Sequence, residues 1–153
     1  MTDTDAVSRA PLRTLLIHGV EQLDGLAAEV IDDTEDGALI VLTGPLGAGK
    51  TTFVQRLAAQ LGSDAPVNSP TYTLVHEYPT PDGTLVHIDL YRLADDAPLD
   101  ALGLDQYLDR ARLVAVEWGE RLLGRYPDAH HLSFEHVGGA GDSRRVSWSV
   151  GRA

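Results

Sequence analysis

Apolar runs that suit buried strands alternate along this chain with amphipathic stretches that suit helices. Residues 13–18 form a short apolar run that predicts a strand. In residues 20–34, Leu23, Leu26, Ala27, Val30 and Ile31 recur at helical spacing, and the polar stretch 32–37 then breaks the pattern. Residues 38–43 are apolar without alternation, as in a strand covered on both faces of a parallel sheet. Phe53, Val54, Leu57, Ala58 and Leu61 predict a helix over 51–61, stopped by Gly62. Turn chemistry at 68–71 precedes an extended segment, 72–78, and 79–83 reads as a hairpin connection into a second strand over 84–91. Alternation there puts His87, Asp89 and Tyr91 on one face and Val86, Ile88 and Leu90 on the other, so the polar face is a candidate site wall. Leu99, Leu102, Leu104, Tyr107 and Leu108 predict one or two short helices within 94–110, broken near Gly103. Residues 113–116 form another buried strand, ending in Glu117 and Trp118, and a short helix follows to about Tyr126. Residues 131–137 and 144–150 flank a glycine-rich turn as a terminal hairpin.

These elements predict an α/β fold, a mixed parallel and antiparallel sheet of the P-loop NTPase kind flanked by helices. At 153 residues the chain is the size of one domain, with residues 1–11 as a flexible polar tail and 12–153 as a single P-loop ATPase domain. The net charge of -11 opposes direct binding to nucleic acid or anionic membrane and suits a basic protein partner. No cysteine is present, which excludes disulfides and thiolate chemistry. The polar N-terminus and the lack of a long apolar stretch predict a cytoplasmic protein with no membrane span.

Lys50 is the only lysine, and it lies in Gly44-Pro45-Leu46-Gly47-Ala48-Gly49-Lys50-Thr51. Glycines at both required positions and a hydroxyl after the lysine coincide by accident about once in a thousand such lysines. A strand before the loop and a helix after it supply the context that a phosphate-binding loop needs. Gly44, Gly47 and Gly49 permit close backbone approach, so that amides from Leu46 and Ala48 onward converge on the phosphates of ATP. Lys50 reaches the outer phosphates, Thr51 is placed to ligate Mg2+, and Thr52 is a candidate for the α-phosphate.

The metal and the attacking water also need a carboxylate at the end of a neighbouring strand. Glu117 and Asp89 both qualify. Glu117 is the better metal candidate, directly or through water, and Asp89 the better candidate for orienting water or completing the metal shell, although those roles are exchangeable. An arginine pair, with Arg92 or Arg121, is the structural alternative for each. Thr71 lies far enough from Thr51 for the chain to return to the γ-phosphate, so a switch loop stiffened by Pro70 is feasible. Trp118, beside Glu117, either covers the nucleotide or packs at the rim. The histidine spacings match no zinc motif, and strand or surface positions are expected for them.

Four segments in one order carry a family resemblance: the loop through Thr52, Ser69-Pro70-Thr71-Tyr72-Thr73-Leu74-Val75-His76-Glu77-Tyr78, His87-Ile88-Asp89-Leu90-Tyr91-Arg92-Leu93 and Val116-Glu117-Trp118-Gly119-Glu120-Arg121. Together they resemble the bacterial TsaE family, over about residues 13–125. The resemblance implies an ATPase needed for threonylcarbamoyladenosine formation at tRNA position 37, working with TsaB and TsaD and meeting tRNA only through that complex. It implies that Thr51 and Glu117 bind magnesium and that Asp89 matters for hydrolysis; the family also binds adenine partly through its N-terminal segment, from which no contacts carry over to His18–Gln22. Pro45 replaces an aspartate common in the family. A small-molecule kinase and a non-hydrolysing nucleotide-binding module are the alternative functions.

Overall fold

The computed structural model describes residues 11–45, 47–63, 75–91, 103–137 and 143–150, with Pro11 and Leu12 as backbone only. Strand β1 (Pro11–Ile17) leads into helix α1 (Val20–Asp32), then β2 (Ala38–Thr43) and α2 (Lys50–Leu61). A hairpin of β3 (Val75–Thr80) and β4 (Gly83–Asp89) precedes helix α3 (Leu104–Arg110) and strand β5 (Leu113–Glu117). A 3₁₀ turn, Glu120–Leu122, and the hairpin of β6 (His130–His136) and β7 (Arg144–Val150) complete the described chain.

The seven strands form one sheet in the order β1-β7-β6-β2-β5-β4-β3. Its middle is parallel: β2 pairs with β5 and β6, and β5 with β4. Both margins are antiparallel, β3 against β4 and β7 between β6 and β1. The sheet is therefore mixed, as the sequence pattern predicts.

Strand alternation builds a core on each face. On one, Leu26, Val30, Phe53 and Leu57 of the paired helices α1 and α2 cover Ile40, Leu42, Leu85 and Ala115. On the other, Leu104, Leu122 and Ala129 cover Val41, Val86, Ile88 and Val116. Removing such side chains from water stabilises the fold by roughly 1.5–3 kcal/mol each. Because β2 and β5 are covered on both sides, they read as unbroken apolar runs.

Several boundaries differ from the sequence reading. The β3–β4 hairpin is tighter than a 79–83 connection, since Pro79 pairs with Thr84 inside the ladder and only Pro81 and Asp82 make the turn. Proline is accommodated because β3 is an edge strand, where a missing N–H costs no interior bond. In place of a helix running to Tyr126 there is one 3₁₀ turn, Leu122 N–H to Gly119 O and Leu123 N–H to Glu120 O, with looser turns up to Pro127. The predicted helical stretch at 94–102 and the start of the extended segment at 72–74 lie outside the described residues.

Candidate functional site

The parallel strands end together. Register pairs Leu42 with Glu117 and Asp89 with Glu117, which brings the ends of β2, β5 and β4 to one edge of the sheet. The glycine loop leaves β2 at this edge and turns into α2. Gly44 has φ 138°, and a Cβ there would lie 2.3 Å from the Phe134 carbonyl oxygen of β6. No other residue fits that crossing. Gly49, at φ 108°, caps α2 without a side chain, so the first amides of the helix and its positive dipole end face the loop's concavity.

Lys50 begins α2 and is only 4% exposed. Its Nζ donates to the Gly44 carbonyl and lies 3.4 Å from the centre of the Trp118 ring. Burial pushes the ammonium below the ordinary lysine range, and the nearby charges of Glu117, Glu120 and Asp89 oppose that shift. The cation is thus held by a carbonyl and an aromatic face, contacts that a phosphate group outcompetes.

One residue onward, the Thr51 hydroxyl lies 3.0 and 2.9 Å from the two Glu117 oxygens. Glu117 itself is buried, at 3% exposure, at the end of β5. His87 supports it from below: its Nε2 is 2.6 Å from Glu117 Oε2 in the sheet interior. Glu117 is thus hydrogen-bonded to a threonine and a histidine, and Arg92, one of the arginine partners weighed from sequence, lies outside the described residues. A hydroxyl and a carboxylate in contact are the hard oxygen donors that magnesium takes, with phosphate and water oxygens filling its other positions, so this pair fits the ion.

Asp89 stands opposite Glu117 in the ladder, and its Oδ1 accepts the Tyr91 amide at 2.9 Å. Trp118 has φ 60°, a left-handed conformation rare for a bulky residue and the only one away from glycine among the described residues. Its amide donates to the Leu42 carbonyl at 3.1 Å, and its ring packs 4.9 Å from that of Tyr91, which is exposed. The bent backbone turns the indole onto Lys50. Of the residues singled out from sequence, Gly44, Lys50, Thr51, Glu117 and Trp118 meet directly, with Asp89 one strand away. Leu46 and Thr71 lie outside the described residues.

On the far side of the loop, a cleft of about 200 Å³ runs between Val20, Leu23, Ala48, Thr52, Phe134 and Arg144. Thr52 thus lines a cavity adjoining the loop. Two features escaped the sequence reading, the burial of His87 against Glu117 and the approach of Arg144 to the loop. Both involve partners distant in sequence, and no local motif marks them.

The sequence model of the family described as "Threonylcarbamoyl adenosine biosynthesis protein TsaE" matches residues 17–146. A tRNA threonylcarbamoyladenosine biosynthesis protein TsaE from Haemophilus influenzae is 41% identical over 99 residues, covering 65% of this chain and 63% of that protein, a little under two thirds of its length. The protein of the same name from Mycobacterium bovis is 40% identical over 150 residues, covering 92% of this chain and 88% of that one. The crystal structure of YdiB from Bacillus subtilis superimposes with a TM-score of 0.71 at 25% identity, over 92% of this chain and 86% of that one.

Proposed function

The chain belongs to the TsaE family, and from that premise we propose that it is a magnesium-dependent ATPase in tRNA threonylcarbamoyladenosine formation, acting as a nucleotide-driven switch on a complex of TsaB and TsaD. The observation that carries the ATPase reading is the Thr51 hydroxyl in contact with both oxygens of a buried Glu117, beside the lysine of an intact phosphate loop.

The geometry supports this reading residue by residue. The loop amides and the N-terminus of α2 take the phosphates, and Lys50 exchanges the Gly44 carbonyl and the Trp118 face for the outer phosphate oxygens. Thr51 and Glu117 are the residues that would hold magnesium, which would supply charge neutralisation at the phosphates. Asp89, at the end of the adjacent strand, orients the attacking water, and His87 keeps the Glu117 carboxylate in place. Trp118 and Tyr91 lie at the mouth of the site, where a change in Lys50 is passed to the surface.

The test is phosphate release from ATP, by the protein alone and with TsaB, TsaD and tRNA. Strong stimulation by the assembled set is expected. Lys50→Ala abolishes nucleotide binding, whereas Glu117→Gln keeps nucleotide and lowers turnover about 100-fold. Near-normal hydrolysis by Glu117→Gln removes that residue from the mechanism, and transfer of phosphate to a small acceptor in place of water replaces the ATPase by a kinase.

A further inference from the structure

Part of the acidic surplus of this chain gathers on one concave face, at the end of the sheet remote from the phosphate loop. Three segments meet there: the turn from α1 into β2, the later part of α3, and the approach to β6. They enclose a cavity of about 540 Å³, within the roughly 300–1,000 Å³ of a binding pocket. Strand β2 runs from this cavity to the loop, so the rise of its residues keeps the two about 17 Å apart.

The walls are held by bonds within the chain. Gly37 has φ 82°, and a Cβ there would lie 2.6 Å from the Leu108 carbonyl oxygen, so glycine is what lets the turn pack on α3. Its amide donates to Ala111 O at 2.9 Å, which closes that side. Across the cavity, the Tyr126 hydroxyl donates to Asp105 Oδ1 at 2.8 Å and ties the approach to β6 to the same helix. Leu39, Leu108 and Tyr126 supply apolar lining, and Asp33, Glu35, Asp36 and Asp128 face solvent around it. Asp36 is paired with Arg112, whereas the carboxylates of Asp33, Glu35 and Asp128 make no ion pair among the described residues. Arg125 is the one arginine in the lining. His130 adds no positive charge, because its Nδ1 accepts the Trp148 indole N–H at 3.1 Å, a role that the neutral ring fills.

We infer that this cavity is a docking site for a basic segment of a protein partner, which sets its cationic side chains beside Asp33, Glu35 and Asp128 and an apolar side chain against Leu108 and Tyr126. Charge complementarity names the occupant, since the same rim repels an anionic one. A single metal ion is a poorer match, because among the described residues no three His, Asp or Glu side chains gather closely enough to hold one. Carboxylates spread around a rim suit charges spread along a chain. With the phosphate loop at the other end of β2, a partner seated here leaves nucleotide free to exchange, and the inference stands without the nucleotide reading.

Titration of the full chain with a blocked Gly-Arg-Leu-Arg-Gly peptide, followed by the shifts of backbone amides in NMR spectra, tests this, with Gly-Glu-Leu-Glu-Gly as the control of opposite charge. The arginine peptide is expected to move the amides of Gly37, Leu39 and Ala129 and to leave those of the phosphate loop in place. Asp33→Asn combined with Asp128→Asn is expected to weaken it about tenfold, and Asp82→Asn, in the β3–β4 turn, by less than about twofold. Both sites of the double variant are exposed, and Glu35→Gln gives a smaller loss and serves if that variant fails to fold. Equal binding of the two peptides, unchanged affinity in the double variant, or shifts confined to another face overturns the proposal. Displacement by magnesium chloride beyond that by sodium chloride of equal ionic strength gives the cavity to a metal ion, and shifts at Gly37 and Ala129 that grow with protein concentration alone give it to a second copy of the chain; either result overturns it as well. Lys50→Ala is expected to bind the peptide as the unaltered protein does, so failure of the nucleotide reading and failure of this one are separate results.

Discussion

His87 gives one carboxylate its orientation at an energetic cost to the fold. The ring is fully buried, with Nε2 on Glu117 and no hydrogen-bond partner for Nδ1 among the described residues. A neutral ring with its proton on Nε2 meets this geometry, donating to the carboxylate and leaving only a lone pair bare. That bare acceptor costs about 1–3 kcal/mol in a dry interior. In return, Glu117 has one oxygen fixed from below while both oxygens face the Thr51 hydroxyl. His87→Ala is therefore expected to lower kcat by about 10–100-fold with a less than threefold change in ADP affinity. His87→Gln, which restores a donor, is expected to recover part of the rate. Loss of affinity and stability at unchanged kcat in both variants limits His87 to a packing role. Lys50 was legible in the sequence because its loop is contiguous, whereas His87 depends on a partner thirty positions away that only the β4–β5 register brings near. Alternation correctly put His87 on the face of Asp89, but a period of two says nothing about depth.

At the level of elements, Arg112 ties the end of α1 to the start of β5. A helix ends with carbonyls that have no intrahelical partner, and cationic donors there complement the dipole. Arg112 Nη2 reaches Ile31 O at 2.9 Å and Thr34 O at 3.0 Å, and Nη1 reaches Glu35 O at 3.2 Å. Its side chain is only 11% exposed, so water does not substitute for it. Arg112→Ala is expected to destabilise the protein by about 2–3 kcal/mol, lowering the thermal midpoint by roughly 5–10 °C. Nucleotide affinity is expected to persist, since Arg112 lies at the opposite end of β5 from Glu117. Arg112→Lys recovers less than half, because one compact ammonium cannot span the same carbonyls. A midpoint within 1 °C of the unaltered protein refutes the assignment. The sequence disclosed α2, β2 and β5 almost to the residue, because apolar periodicity records which faces are covered. It left the end of α1 vague, since the arginine that closes it comes from far along the chain. The strand order was hidden for a related reason: β7 sits between β6 and β1, and only long-range pairing joins the first strand to the last.

For the whole molecule, charge argues against direct binding of tRNA. The net charge is -11, and among the described residues Arg13, Arg56, Arg110, Arg112 and Arg145 all lie in ion pairs with Glu29, Asp24, Glu77, Asp36 and Glu135. The single lysine is buried in the phosphate loop. These cations are spread over separate elements, each beside an acid, and form no basic stripe of the kind that releases counterions from a phosphate backbone. The surrounding field also repels a polyanion, by an amount that screening reduces but does not reverse. On the proposed reading a local anion site survives this field, because a nucleotide's phosphates would enter a cradle of backbone amides, whereas a tRNA backbone presents its charge across a broad surface. The isolated protein is therefore expected to bind labelled tRNA more weakly than the 10⁻⁴ to 10⁻⁶ M typical of non-specific nucleic-acid binders at physiological salt, measured by fluorescence anisotropy. Adding TsaB and TsaD is expected to bring tRNA and this chain into one species, visible as co-sedimentation. Saturable binding of tRNA by the isolated chain at micromolar concentration, weakening steeply with salt, contradicts the charge argument and requires a basic surface outside the described residues.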